Sequence, residues 1–277
     1  MSRTKTFANL LWLGTAAVGC GDDTVKHLAD APPTAIDAAI DAAPAPIAMF
    51  AASASGEVTC GQLNPSSFDF AVTNVGQLEL EIASLEMTGG FTLTADPVFP
   101  IKVAPGASTT IAITPPLAVL GTDLAGTPKT GVLTMTTNES TPSHAIDLAA
   151  MVKGANLVFT DAAGTPVTPA LSSTNGTCPA NYTFKIKNSG NMDTVVIGTD
   201  IRGHYIHQGF SSGPLAAGES VDAVLHPYTL DDSACVVDEV IRYRVTGNLC
   251  NGDSSGMTID LPASLSITGG GTSCFCS

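Results

Sequence analysis

The sequence predicts an all-β fold, with two tandem sandwich domains following a disordered tether. Three observations carry this. Beyond about residue 45, Val, Ile, Leu, Phe and Thr dominate, broken roughly every 8–12 residues by Gly, Pro or Asn. No long stretch keeps helical periodicity, and short alternating runs stand in its place. The third observation is an internal repeat with a period of about 113 residues. Phe68-Asp69-Phe70-Ala71-Val72-Thr73-Asn74-Val75-Gly76 recurs as Tyr182-Thr183-Phe184-Lys185-Ile186-Lys187-Asn188-Ser189-Gly190. Val103-Ala104-Pro105-Gly106-Ala107-Ser108 recurs as Leu215-Ala216-Ala217-Gly218-Glu219-Ser220, and Ile146-Asp147-Leu148 as Ile259-Asp260-Leu261. The matches keep one order, so the two copies are collinear.

The elements follow along the chain. Residues 1–19 open with Arg3 and Lys5, continue through an apolar run from Phe7 to Val18, and close on small residues. That is the anatomy of an export signal, and the run is too short to span a bilayer, which takes roughly 20 apolar residues. Ala17-Val18-Gly19-Cys20 resembles the lipobox of bacterial lipoproteins, although Ala17 stands where leucine is commoner. The resemblance implies that Cys20 is lipidated and becomes the mature N-terminus. The competing expectation is a plain secretory signal, with Cys20 an ordinary disulfide partner. Residues 20–45 are the tether. Ile36-Asp37-Ala38-Ala39 is echoed by Ile40-Asp41-Ala42-Ala43 between Pro33 and Pro44, and so little apolar surface cannot offset chain entropy.

The first domain is expected over 46–153 and the second over 154–277. In each, apolar residues two apart (Phe68, Phe70 and Val72; Tyr182, Phe184 and Ile186) share one face of a strand. Asn74 and Asn188 are placed to bond the turning backbone, and Gly76 and Gly190 to supply a positive φ. Pro105-Gly106 signals a type II turn, and the second copy keeps Gly218. Strands are expected at Thr110–Ile113 and Val221–Val224, and as pairs near each copy's end. Those pairs are Gly131–Thr136 with Ala145–Ala150, and Val240–Thr246 with Thr258–Ile267. About seven strands in 100–110 residues has the size of an immunoglobulin-like sandwich.

A strand with an N-x-G turn, a V-A-P-G-x-S turn and Gly131-Val132-Leu133-Thr134-Met135-Thr136-Thr137-Asn138 resemble the choice-of-anchor D and Hydin-like immunoglobulin family. The first copy carries the whole pattern, while the second lacks the threonine-rich strand ending. Asp- and Pro-rich tethers after a lipobox resemble those of myxobacterial lipoproteins. The resemblance implies non-catalytic modules of surface and scaffold proteins, with no catalytic residues to carry over.

The formal charge is −14, and loss of the signal takes the mature chain to about −16. That excludes a general electrostatic grip on nucleic acid or anionic lipid. After lipidation, Cys60, Cys178, Cys235, Cys250, Cys274 and Cys276 remain. In an exported protein they are expected in disulfides rather than on a metal. Six cysteines allow fifteen pairings, and sequence does not choose among them. One pairing joins Cys235 to Cys250, leaving Cys178 near the tail pair. Cys60 then staples to the tail across the domain boundary or stays free. The spacing of Cys274-Phe275-Cys276 is not that of common zinc sites.

Catalytic patterns are few. Gly209-Phe210-Ser211-Ser212-Gly213 matches G-x-S-x-G, but that motif needs a helix after the serine, and Pro214 and Gly218 follow instead. Asp222 and His226 stand too close along the chain for a packed triad. His204 and His207, three apart, point to opposite faces of a strand and make a poor metal pair. The sequence therefore predicts no enzyme, cofactor or metal. It predicts an exported module anchored to the bacterial envelope through Cys20, with the outer membrane favoured because Gly21, not Asp, follows it. Its expected partner is an envelope or extracellular protein or polymer. The alternative is a hydrolase using Ser211, or a metal enzyme using His204 and His207.

Overall fold

The computed structural model describes residues 44–174, 178–201, 206–209, 212–227 and 236–268. All its regular structure is strand. The first copy runs β1 (Ala48–Met49), β2 (Ser53–Thr59), β3 (Phe68–Asn74), β4 (Leu80–Met87), β5 (Thr92–Leu93), β6 (Ile101–Val103), β7 (Ser108–Thr114), β8 (Pro128–Thr137) and β9 (Ser143–Lys153). The second runs β10 (Leu157–Thr160), β11 (Ala170–Ser173), β12 (Tyr182–Asn188), β13 (Thr194–Ile201), β14 (Ile206–Gly209), β15 (Gly213–Leu215), β16 (Ser220–Pro227), β17 (Val236–Val245) and β18 (Thr258–Ile267).

The two copies have one topology. In the first, a sheet ordered β1-β3-β7-β5 faces one ordered β2-β9-β8-β4-β6. In the second, β10-β12-β16-β14 faces β11-β18-β17-β13-β15, the same orders advanced by nine strands. Pairing is antiparallel except β2 with β9 and β11 with β18. There the leading segment of each copy has crossed from one sheet to the other and runs beside the last strand. This is the build of an immunoglobulin-like sandwich. Even the irregularities repeat, with a bulge at Ala83 between β4 and β8 and another at Ile197 between β13 and β17.

Alternation drives each sheet. Along β3, Phe70 and Val72 are buried while Asp69 and Ala71 are exposed. Along β12, Phe184 and Ile186 are buried and Thr183 and Lys187 exposed. These faces build two cores. One centres on Phe70, Leu80, Ile82, Leu133 and Leu148, the other on Phe184, Ile186, Leu225, Tyr243 and Leu265. Tyr243 lies 5.1 Å from the Phe159 ring centroid, and burial raises its phenol pKa.

Asn74 and Asn188 are both fully buried and do the same work in each copy. Asn74 Nδ2 donates to Leu78 O and Val103 O at 2.8 and 2.9 Å, and its Oδ1 accepts from Gly76 N at 3.0 Å. Asn188 Nδ2 donates to Met192 O and Leu215 O at 2.8 and 3.3 Å, and its Oδ1 accepts from Gly190 N at 3.0 Å. Each amide thus ties the end of one strand to the start of its neighbour across the sandwich.

The expected positive φ at Gly76 and Gly190 is not found. Glycine is needed there because backbone crosses its face. A Cβ on Gly76 would fall on Ala45 O and Ile47 N, and one on Gly190 on Gly154 O, Ala155 and Asn156 N. Positive φ sits instead at Gly106 (74°) and Gly218 (84°), in turns closed by Ala107 N to Ala104 O and Glu219 N to Ala216 O. Gly76→Ala is expected to lower stability by about 1–3 kcal/mol, since the incoming strand must move away. Gly106→Ala, in open space, carries only left-handed strain. A guanidinium melt of the two variants checks the ranking.

Candidate functional site

The feature that the sequence does not display is where the copies meet. Cys60, just after β2, is bonded to Cys250 in the β17–β18 loop, with Cα atoms 5.3 Å apart and a sequence separation of 190. The proposed Cys235–Cys250 pairing is therefore wrong. Cys60 is not free, and its partner is the β17–β18 loop rather than the tail. Cys178 is also disulfide-bonded. Cys235, Cys274 and Cys276 lie outside the described residues, as does Cys20.

The bond is buried, with Cys60 1% and Cys250 0% exposed. Cys250 packs in the core of the first copy, whereas the residue before it, Leu249, packs in the core of the second. The β17–β18 loop (246–257) is longer than its counterpart between β8 and β9 (138–142), and the extra chain makes the plug. Gly154, at the crossing between copies, lies against the bond. A Cβ there would strike Cys250 Sγ and come within 2.7 Å of Asn248 O.

Two asparagines suture the rest, and a third ties the plug to its own copy. Asn156, 6% exposed, accepts from Ala125 N and donates to Ala125 O, both at 3.3 Å, while its own N–H goes to Asn188 Oδ1. Asn191 donates to Val152 O at 2.9 Å and accepts from Gly154 N at 3.0 Å. Asn251 brackets Leu157, donating to its O at 2.7 Å and accepting from its N at 3.0 Å. Gly121 N donates to Cys250 O at 2.7 Å. The two cores so joined belong to one compact unit that begins at Pro44. No sequence signal marks Asn156 as buried, because its burial depends on the other copy.

The junction also opens a groove of about 370 Å³ lined by Gly61, Leu63, Leu117, Val119, Leu120 and Ser254. Its rim is apolar and wet, with Leu63 82%, Val119 52% and Leu117 46% exposed. Charge flanks it. Burial opposes ionisation of Asp123, but Lys129 at 2.6 Å and the Val119 N–H hold its carboxyl below the usual range. The Ser255 hydroxyl, at 2.6 Å, is the main reason that the Asp253 pKa falls to about 2.

At the far end of the first copy the equivalent surface is closed. Glu139 accepts from Ala48 N at 2.8 Å and pairs with His144 Nε2 at 2.8 Å, and the Phe50 ring stands edge-on to His144. The short β8–β9 loop caps its own domain and carries no plug.

The catalytic alternatives gain no geometry. Ser211 and His204 lie outside the described residues. The strand that follows Ser211 is β15, not a helix, and it pairs in the sheet opposite to that of β14. Asp222 is held by Lys185 at 2.7 Å. His207 is in register with His226 across β14 and β16. Among the described residues no cluster of three His, Cys, Asp or Glu side chains could hold a metal.

No family model matches the chain, and no curated protein matches it. Solved structures match at long range. The Pseudomonas aeruginosa CupB2 chaperone is 10% identical, covering 78% of this chain and 98% of that one, with a TM-score of 0.28. The CsuC-CsuE chaperone-tip adhesion subunit complex of Acinetobacter baumannii is 10% identical over 80% and 99%, at 0.29. Mouse PcdhgC3 EC1-3 is 11% identical over 80% and 68%, at 0.37. Similarities this distant carry no function to this chain.

Proposed function

We propose that this protein is an exported, lipid-anchored, non-catalytic pair of sandwiches, serving adhesion, scaffolding or protein binding in the bacterial envelope. The observation that carries the reading is the buried Cys60–Cys250 bond. It ties two copies of one domain together across their boundary, an arrangement suited to presenting surfaces. Disulfides persist in oxidising compartments, which supports export. The division proposed is 46–153 and 154–277, with Cys20 as the lipidated residue and the outer membrane as its site. More than one acyl chain suffices for stable anchoring at about 0.8 kcal/mol per buried methylene. The resemblance to choice-of-anchor D and Hydin-like modules supports a role without catalysis. The acidic charge argues for a protein or polymer partner and against nucleic acid. The test is protease shaving of tagged protein on intact cells beside a Cys20→Ala control. Shaving of the wild type and release of the control are expected. Protection until the outer membrane is opened overturns display at the surface, and a control that stays bound overturns the anchor.

A further inference from the structure

Both sandwiches have the same edge strand beside their last strand, but the two edges differ. In the second copy it is β11, four residues long and entered through Pro169. In the first it is β2, seven residues long, Ser53-Ala54-Ser55-Gly56-Glu57-Val58-Thr59. One side of β2 pairs with β9 from Ser53↔Asp147 to Thr59↔Lys153. Among the described residues no strand pairs with the other side.

The ladder decides which backbone groups remain. Asp147 N donates to Ala52 O at 3.0 Å and Cys60 N to Lys153 O at 2.9 Å. In a parallel ladder the bonding residues alternate. Ala54, Gly56 and Val58 therefore turn their amides to β9, and Ser53, Ser55 and Glu57 turn theirs outward. All three of these are exposed. Natural edges are guarded by lysine, proline, bulges or brevity. Ser53 to Gly56 has none of these, and its side chains are too small to hold a neighbour off.

We propose that β2 is a homodimer interface, in which two copies of this chain pair β2 with β2 antiparallel about a two-fold axis through Ser55. The segment is self-complementary in that register. Ser55 faces Ser55 of the second copy, and Ser53 faces Glu57, so the two carboxylates never stand opposite each other. Each facing pair exchanges both of its backbone hydrogen bonds. A register shifted by one pair toward the end of β2 would need Thr59 O, which already accepts from Gln62 N at 3.1 Å, and one shifted the other way would need Ala51, outside the strand. Glu57 has Lys153 at 3.5 Å to offset its charge. The pairing joins two five-stranded sheets into one continuous sheet, and it does not depend on where the protein is anchored.

The test uses the full chain carrying Cys20→Ala, so that no acyl chain drives association. Sedimentation up to about 100 μM is expected to show a dimer that strengthens with salt, because the acidic chains repel. Ser55→Lys is expected to be monomeric with an unchanged melt. Ser55→Cys is expected to give a covalent dimer under mild oxidation, since facing Cα atoms about 5.5 Å apart suit a disulfide. Ser172→Cys on β11 should not cross-link. A monomer throughout, a dimer indifferent to Ser55→Lys, or equal cross-linking from both cysteines overturns the proposal.

Discussion

In the Cys60→Ala/Cys250→Ala double variant, equilibrium unfolding is expected to show a loss of roughly 2–5 kcal/mol and a transition that separates into two. The chain-entropy account places a loop this long near the upper end, because the bond closes 190 residues in the unfolded ensemble. The second half of the expectation comes from packing. Cys250 belongs to the first core and Leu249 to the second, so the β17–β18 loop is the mechanical link between them. Without the bond, the Asn156 and Asn191 sutures, the Gly121 N to Cys250 O hydrogen bond and the chain crossing at Gly154 remain. Fluorescence and circular dichroism followed through one guanidinium titration, with the wild type beside the variant, measure both effects.

Asn74→Ala and Asn188→Ala should each cost about 4 kcal/mol, and by similar amounts. Each substitution strands two backbone carbonyls and the amide of the following turn. An Asn-to-Asp change keeps the acceptor but loses both donors, and should fall nearly as far. The matched size is the informative part. Leu78 and Val103 around Asn74 correspond to Met192 and Leu215 around Asn188, so the penalties should match if the copies are true structural repeats. Unfolding of the two single variants under one set of conditions tests this.

Strands with one buried face were legible in the sequence because a period of two is visible in it. The Phe68–Val72 and Tyr182–Ile186 runs, the Gly106 and Gly218 turns and the paired closing strands all stand where alternation and turn chemistry put them. What escaped was set by contacts distant in sequence. Ser53-Ala54-Ser55-Gly56 has little apolar character, and only the neighbouring β9 makes it a strand. The conformation of Gly76 looked like a local matter of φ, whereas the crossing of Ala45–Ile47 decides it. Cys60 and Cys250 could not be paired from spacing, because a bond between domains leaves no local trace. The junction amides read as ordinary polar loop residues until the second copy is placed against the first.

The most direct test of the stapled pair is non-reducing peptide mapping of the protein taken from its native compartment, with free thiols alkylated at lysis. The account predicts one species in which the Cys60 peptide is linked to the Cys250 peptide, with neither alkylated. Recovery of Cys250 linked to Cys235, or of Cys60 as a free alkylated thiol, would contradict it.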